Sequence, residues 1–200
     1  MYRPYINQYL AEAKQIIDAL DRSSVEQVIK VLKQVRDARG RLFILGIGGG
    51  AGHASHAVND FRKIAGLEAY TPMDNISEFS ARVNDDGWEN VFAHWLAVSR
   101  LSRKDAVLVF SVGGGNEEKR VSVNLVEGLK YAKNAGAKIL GIVGRDGGHT
   151  KKVAHACVVV PVVNADAVTP HTESFQAVIW HLIVSHPLFL KQKGKWESMR

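Results

Sequence analysis

Two hundred residues, 46% hydrophobic and 23% charged, describe a globular chain long enough for a substantial core and short enough for one domain. No apolar run reaches the length of a membrane span, and the opening MYRPYINQYLAEAKQ has no apolar signal core; the expected setting is the cytoplasm, with no membrane partner. A formal charge of +6 suits an anionic ligand, and because the Lys and Arg are dispersed rather than clustered with aromatics, small anions are expected and nucleic acid is not.

Ile6, Tyr9, Leu10, Ala13, Ile16, Ile17 and Leu20 recur at helical spacing and predict a helix over residues 2–20. Asp21-Arg22-Ser23-Ser24 breaks it. Ser24 with Gln27 reads as a capping-box variant that opens a second helix, running to Arg39 and ending at Gly40. Both helices precede the first strand, so they are expected to pack outside the sheet and bury apolar surface against another subunit. The rest alternates. Strands are predicted over 41–47, 67–72, 106–111, 137–143 and 157–163, with Pro161 marking the last as an edge or a strand end. Helices are predicted over 51–65, 75–82, 88–101, 122–135 (capped by Ser122) and 169–188, with a short one after the turn 144–148 and a loosely ordered tail over 191–200. Residues 83–87, VNDDG, read as a turn. Strands alternating with helices across short turns give a parallel sheet with helices on both faces. No repeat or linker divides the chain. The lone Cys157 cannot form an internal disulfide and reads as a buried thiol.

Two strands run straight into glycine bends. Residues 42–60, LFILGIGGGAGHASHAVND, pass from an apolar run through Gly46-Ile47-Gly48-Gly49-Gly50 into a helix. The strand AVLVFS opens into Val112-Gly113-Gly114-Gly115-Asn116. Such bends let backbone approach a ligand closely and aim N–H groups at an anion. Both lie beyond the carboxyl ends of strands, where open parallel sheets bind ligands. Neither completes a dinucleotide fingerprint or a P-loop, so a phosphorylated small molecule is indicated rather than a nucleotide. Ser111 and Ser122 offer hydroxyls to the second bend, and Lys119 and Arg120 offer charge, although a solvated loop face accounts for the two cations equally well. His56 and Asp60 share a helix face four positions apart, with His53 nearby. Glu173 and His181 are eight apart on the last long helix. These are candidates for a metal or for proton transfer, while a surface pair and a packed core histidine explain the same residues without chemistry.

Taken together, GIGGG, His56 with Asp60, VNDDGWENVF, FSVGGGN, GIVGRDGG and the helix carrying Glu173 and His181 resemble the sugar isomerase (SIS) domain family, and within it the phosphoheptose isomerases. The likeness covers nearly the whole chain. It implies an α/β, three-layer, flavodoxin-like fold in one SIS domain over 1–200, with residues 1–40 as a helical extension for oligomerisation and 41–190 as the α/β core. It implies an aldose–ketose isomerase converting sedoheptulose 7-phosphate to D-glycero-D-manno-heptose 7-phosphate through an enediol(ate), as a homotetramer with sites shared between subunits. Zinc, one ion per subunit, would be held by His56, Asp60, Glu173 and His181. Asp60 and His181 are then the catalytic pair, and Ile47, Gly48, Gly49, Asn84, Asp85, Ser111, Val112, Gly113, Ser122, Lys119 and Arg120 bind the substrate. The chain departs from the family at Asp60, usually Glu, and at Glu173, usually Gln. Ile47 and Gly50 replace the Asn and Ser of the usual first bend, and the second bend has lost hydroxyls and gained residues before Ser122, so Lys119 or Arg120 is expected to take over phosphate binding. Two further readings fit the same residues: a non-catalytic SIS module that binds a sugar phosphate, and an isomerase of another phosphosugar.

Overall fold

A computed structural model of the chain describes residues 2–199; the last residue of the expected tail, Arg200, lies outside the described residues. Two helices lead, α1 (Arg3–Ala19) and α2 (Arg22–Asp37). Then come β1 (Leu42–Gly46), α3 (Gly49–Lys63), β2 (Ala69–Tyr70), α4 (Ile76–Asp85), α5 (Val91–Val98) and β3 (Ala106–Ser111). The chain closes with α6 (Val123–Asn134), β4 (Lys138–Val143), α7 (Gly148–Val153), β5 (Ala156–Val159), α8 (Val168–Ser185) and the short α9 (Lys195–Ser198). None of the described helices is long and apolar enough to cross a membrane.

The five strands are parallel throughout, in the order β2-β1-β3-β4-β5. Strand side chains alternate between faces, and each face here supplies its own core. Leu42, Ile44, Leu108, Phe110, Leu140 and Ile142 point toward α2, α3 and α8, while Phe43, Leu45, Val107, Val109 and Ile139 point toward α5 and α6. That is the expected three-layer α/β architecture. The chain leaves β1 for β2 on one side and returns for β3 on the other. The order therefore reverses between β1 and β3, and a crevice opens beyond their carboxyl ends, where both glycine bends lie.

Several boundaries differ from expectation for local reasons. Asp21, not Ser24, caps α2: its carboxylate accepts the Ser23 N–H at 2.9 Å, while Ser24 Oγ donates to the Asp21 carbonyl. Ser122 stands at the cap position of α6 but in the left-handed region, φ 51°, with no side-chain cap bond. Asn84 and Asp85 belong to the last turn of α4 rather than to a loop: the helix runs on to Asp85, the Asp86 N–H donates to the Arg82 carbonyl, and Arg82 bridges Glu78 and Asp86 along its face. Pro161 falls just beyond β5, an edge strand, as its missing N–H requires. Burial pushes the Cys157 thiol up to about 11.

The leading helices are not equivalent. Val25, Val28, Ile29, Leu32 and Val35 of α2 are buried in this chain's own core, so α2 is part of the layer covering the sheet and not an external arm. On α1 only Glu12 and Ile16 are buried, while Tyr5, Ile6, Leu10 and Ile17 are exposed. The Glu12 carboxylate ties α1 down by accepting from Gln8, Asn164 and His171, each at 2.8 Å.

At the opposite edge of the sheet, Asp105 joins the starts of β1 and β3. It is 2% exposed and accepts from the Arg41 backbone and guanidinium and from the Ser102 N–H and hydroxyl. Burial pushes its carboxyl up, and Arg41 with the other donors outweighs that, leaving it below the ordinary carboxylate value. The stability it contributes is therefore present above the unfolded value, about 4, and lost as pH falls through the lower folded value. Asp105→Asn is expected to cost about 2 kcal/mol in denaturant unfolding at pH 7, with the gap to wild type narrowing as the pH drops below about 4.

Candidate functional site

The first bend leaves β1 at Gly46 and becomes α3 at Gly49, with Gly48 at φ 59°. The bend must be this bare because its surroundings are full. A Cβ on Gly50 would meet the Phe110 carbonyl oxygen at 2.5 Å, and one on Gly49 would collide with the Glu173 carboxylate. That second contact has an electrostatic consequence. Glu173, on α8, lays its carboxylate against the first residue of α3, where a helix terminus favours negative charge. The place at which the first bend would receive an anion is thus next to an anion of the chain itself.

The second bend is built differently. Ser111 Oγ accepts the Gly114 N–H at 3.0 Å and so closes the turn. The bend is then clamped to the β4–α7 turn: Thr150 N–H and Oγ donate to the Gly114 carbonyl at 2.9 and 2.8 Å, and the His149 N–H donates to Gly115 at 2.8 Å. Gly114, at φ 70°, has the Gly147 carbonyl where a Cβ would stand. The residues before Ser122 form a strap, closed by paired backbone bonds between Asn116 and Val121 at 2.8 and 3.0 Å. Glu117 pairs with Lys130 of α6 at 2.6 Å, and Arg120 pairs with Glu89.

Between bend, strap and the β4–α7 turn lies a cleft of about 420 Å³. Of the residues expected to bind substrate, Ile47, Ser111, Val112, Gly113, Lys119 and Ser122 line it. Arg120 does not, because Glu89 holds its guanidinium. Asn84 and Asp85 do not line it either: they are exposed on α4 and bond to each other at 2.6 Å. Arg145 lines the cleft and was not anticipated. It sits at φ 54°, strained for a non-glycine residue, with its side chain across Gly113. The signal was present in GRDGG, a turn placed directly after a strand at the same sheet edge as the bends.

The residues expected to carry the chemistry meet at the seam between α3 and α8. His56 and Asp60 of α3 and His181 of α8 each offer a ligand atom, and these atoms lie within 4.8 Å of one another. Asp60 is 5% exposed, whereas both histidines are exposed. Asp60 Oδ2 lies 3.5 Å from His56 Nε2 and 3.4 Å from His181 Nε2, and it accepts the Trp180 indole N–H at 3.2 Å. Asp60 Oδ1 accepts from Asn59 at 3.0 Å. The Ala177 carbonyl, 2.7 Å from His181 Nδ1, can only accept, so that nitrogen carries a proton and Nε2 is the one that faces Asp60. His53 stands apart from the trio, 3.1 Å from the buried Gln176. Glu173 is not in the trio; its carboxylate lies on Gly49, so three of the four expected metal-binding side chains come together here. Two imidazoles and one carboxylate from two helices are a donor set that fits zinc.

No family model matches the chain. Individual relatives do. The phosphoheptose isomerase of Nitratiruptor sp. is 31% identical over 150 residues, 72% of this chain and 74% of that protein. The lincomycin biosynthesis protein LmbN of Streptomyces lincolnensis is 33% identical over 156 residues, 74% of this chain but only 56% of that longer protein. Among solved structures, phosphoheptose isomerase from Neisseria gonorrhoeae superposes with a TM-score of 0.78 over 92% of this chain and 98% of that one; at 19% identity this shows the shared fold. The chain belongs to the phosphoheptose isomerase family of SIS-domain proteins and is an isomerase.

Proposed function

We propose that the protein interconverts a ketose phosphate and an aldose phosphate, with sedoheptulose 7-phosphate and D-glycero-D-manno-heptose 7-phosphate as the first pair to test. The observation that carries this reading is the convergence of His56, Asp60 and His181 from two helices within 4.8 Å. The names of the relatives, phosphoheptose isomerase above all, support the substrate class.

The phosphate sits in the cleft at the second bend. Lys119 and Arg145 face it with positive charge, and Ser122 is at hand as a hydroxyl donor. The first bend receives hydroxyls rather than a second phosphate, since Glu173 already lies on Gly49. At the other end, the Asp60 carboxylate takes a proton from C1 of the ketose. The C–H electron pair becomes the C1–C2 double bond of the enediolate, and the proton is returned to C2. His181 moves the hydroxyl proton from O1 to O2 through Nε2, the ring nitrogen left by the Nδ1 contact with the Ala177 carbonyl. His56, Asp60 and His181 are the side chains that would hold a zinc ion, which would supply Lewis-acid polarisation of a carbonyl when bound. Asn84 and Asp85, exposed on α4, and the apolar residues exposed on α1 and α8 (Tyr5, Ile6, Leu10, Val178, Leu182) suit a homotetramer in which neighbours complete the site. The whole chain then acts as one SIS domain in the cytoplasm.

A related reading keeps the chemistry and changes the sugar. Charge from Lys119 and Arg145 grips a phosphate without the hydroxyl pattern of the usual second bend, so phosphosugars of other chain lengths belong in the same assay. Turnover of sedoheptulose 7-phosphate by wild type, lost by about a hundredfold or more in Asp60→Asn and in His181→Ala, is the expected result; undiminished turnover in either variant removes that residue from the scheme. Lys119→Ala and Arg145→Ala are expected to raise KM about tenfold each with kcat little changed, and Arg120→Ala to change neither. Equilibrium dialysis is expected to give one zinc per subunit, bound at least about tenfold more weakly by His56→Ala and His181→Ala.

A further inference from the structure

Trp180 stands one position before His181 on α8, and its side chain points into the core rather than out to solvent. It is 1% exposed. Its ring lies among the site's imidazoles, with centroids 5.0 Å from His53, 5.5 Å from His56 and 4.8 Å from His181, and it meets Phe110 of β3 at 5.5 Å. An indole buried at this depth needs an acceptor for its N–H. Trp180 Nε1 finds one at 3.2 Å, on Asp60 Oδ2.

The distances around Asp60 separate the groups that orient it from those that only stand near it. The hydrogen-bond range for an N–H donor ends near 3.2 Å. His56 and His181 lie outside it, at 3.5 and 3.4 Å. Asn59 and Trp180 lie inside it, one on each carboxylate oxygen. A neutral donor on each oxygen fixes the plane of the carboxylate and leaves both imidazole Nε2 atoms uncommitted. Asn59 is the chain neighbour of Asp60 and moves with it. Trp180 comes from the other helix and is wedged against Phe110, so among the described residues it is the donor that ties the carboxylate to the frame.

We infer that Trp180 is a positioning residue, whose indole N–H holds the Asp60 carboxylate at the angle its chemistry requires while sparing His56 and His181 for substrate or metal. Its effect on turnover rests on the isomerase reading above; the hydrogen bond itself does not. Aspartate has one side-chain methylene fewer than glutamate, so its carboxylate has less reach and the facing helix must bring a donor to it. A bulky donor on the facing helix supplies the hold.

Two independent measurements test this. In the nitrogen–proton spectrum of labelled protein, the Trp180 indole signal is identified by its loss in Trp180→Phe. In Asp60→Asn that signal is expected to move upfield, because a charged acceptor has become a neutral one; Asp60→Ser serves the same purpose if the amide variant does not fold. A signal that stays in place overturns the inference. In kinetics, Trp180→Phe keeps most of the ring and loses the donor. It is expected to lower kcat about tenfold with KM within about twofold, while Trp95→Phe, a second buried indole remote from Asp60, leaves kcat within about twofold. An unchanged kcat in Trp180→Phe, or an equal loss in Trp95→Phe, overturns the positioning role. A shifted indole signal in a protein that turns over no phosphosugar upholds the contact and counts against the isomerase reading instead.

Discussion

The buried carboxylate of Asp60, in the seam where α3 meets α8, is the constraint on which the rest of the site depends. A carboxylate at 5% exposure is costly unless donors meet it, and the fold meets it from both helices. The supporting pieces follow from that requirement. Phe110 of β3 backs the Trp180 ring, and Gln176, fully buried, bonds to the Ile142 carbonyl and to His53, so that α8 is keyed to β4 and α3 at once. The seam that brings His56, Asp60 and His181 together is therefore built against the sheet, where the strands are buried on both faces.

The cleft at the second bend is built on loops, and its order has another source. Three turns at the same sheet edge lock together: Ser111 closes the second bend from within, and Thr150 and His149 fasten it to the β4–α7 turn. The strap adds Lys119 to this frame through backbone bonds between Asn116 and Val121 and through ion pairs at Glu117 and Arg120. The exposed ion pairs contribute little each, so the backbone ladder is the main restraint. Charge from Lys119 and Arg145 falls off with distance more gently than hydroxyl bonds do, and it is less demanding of a ligand's geometry. A cleft that relies on charge in this way is suited to phosphosugars of more than one chain length.

The sequence was most readable where one signal dominates. Continuous apolar runs named β1 and β3 as interior strands, and helical spacing named α1, because burial on both faces or on one stripe leaves a mark in the sequence. Boundaries shifted where a local cap competed, as at Asp21 and Asn75, whose side chains reach the helix N–H groups first. The two leading helices looked alike in pattern, yet α2 fills this chain's own core and α1 mostly does not; periodicity shows that a face is apolar, not what covers it. Within the site, the spacing paired His56 with Asp60 and the resemblance added His181, and the structure brings these three side chains together. Glu173, two turns along the same helix, was expected beside them and lies on Gly49, since an axial step of that size separates side chains unless a common ligand draws them together. Arg120 and Arg145 show the same limit from the other side. Both are arginines in loops near a bend, and only the folded chain reveals that Glu89 occupies one while the other faces the cleft.

The account places one phosphosugar across both ends of this arrangement, phosphate at the second bend and reacting carbons at Asp60. A crystal structure of the protein with substrate or product bound tests that claim most directly. The account predicts phosphorus between the Lys119 and Arg145 side chains and C1 or C2 within about 3.2 Å of an Asp60 carboxylate oxygen, from the same subunit or a neighbour. A sugar whose C1 and C2 lie beyond the reach of every Asp60 in the assembly would contradict it, whatever holds the phosphate.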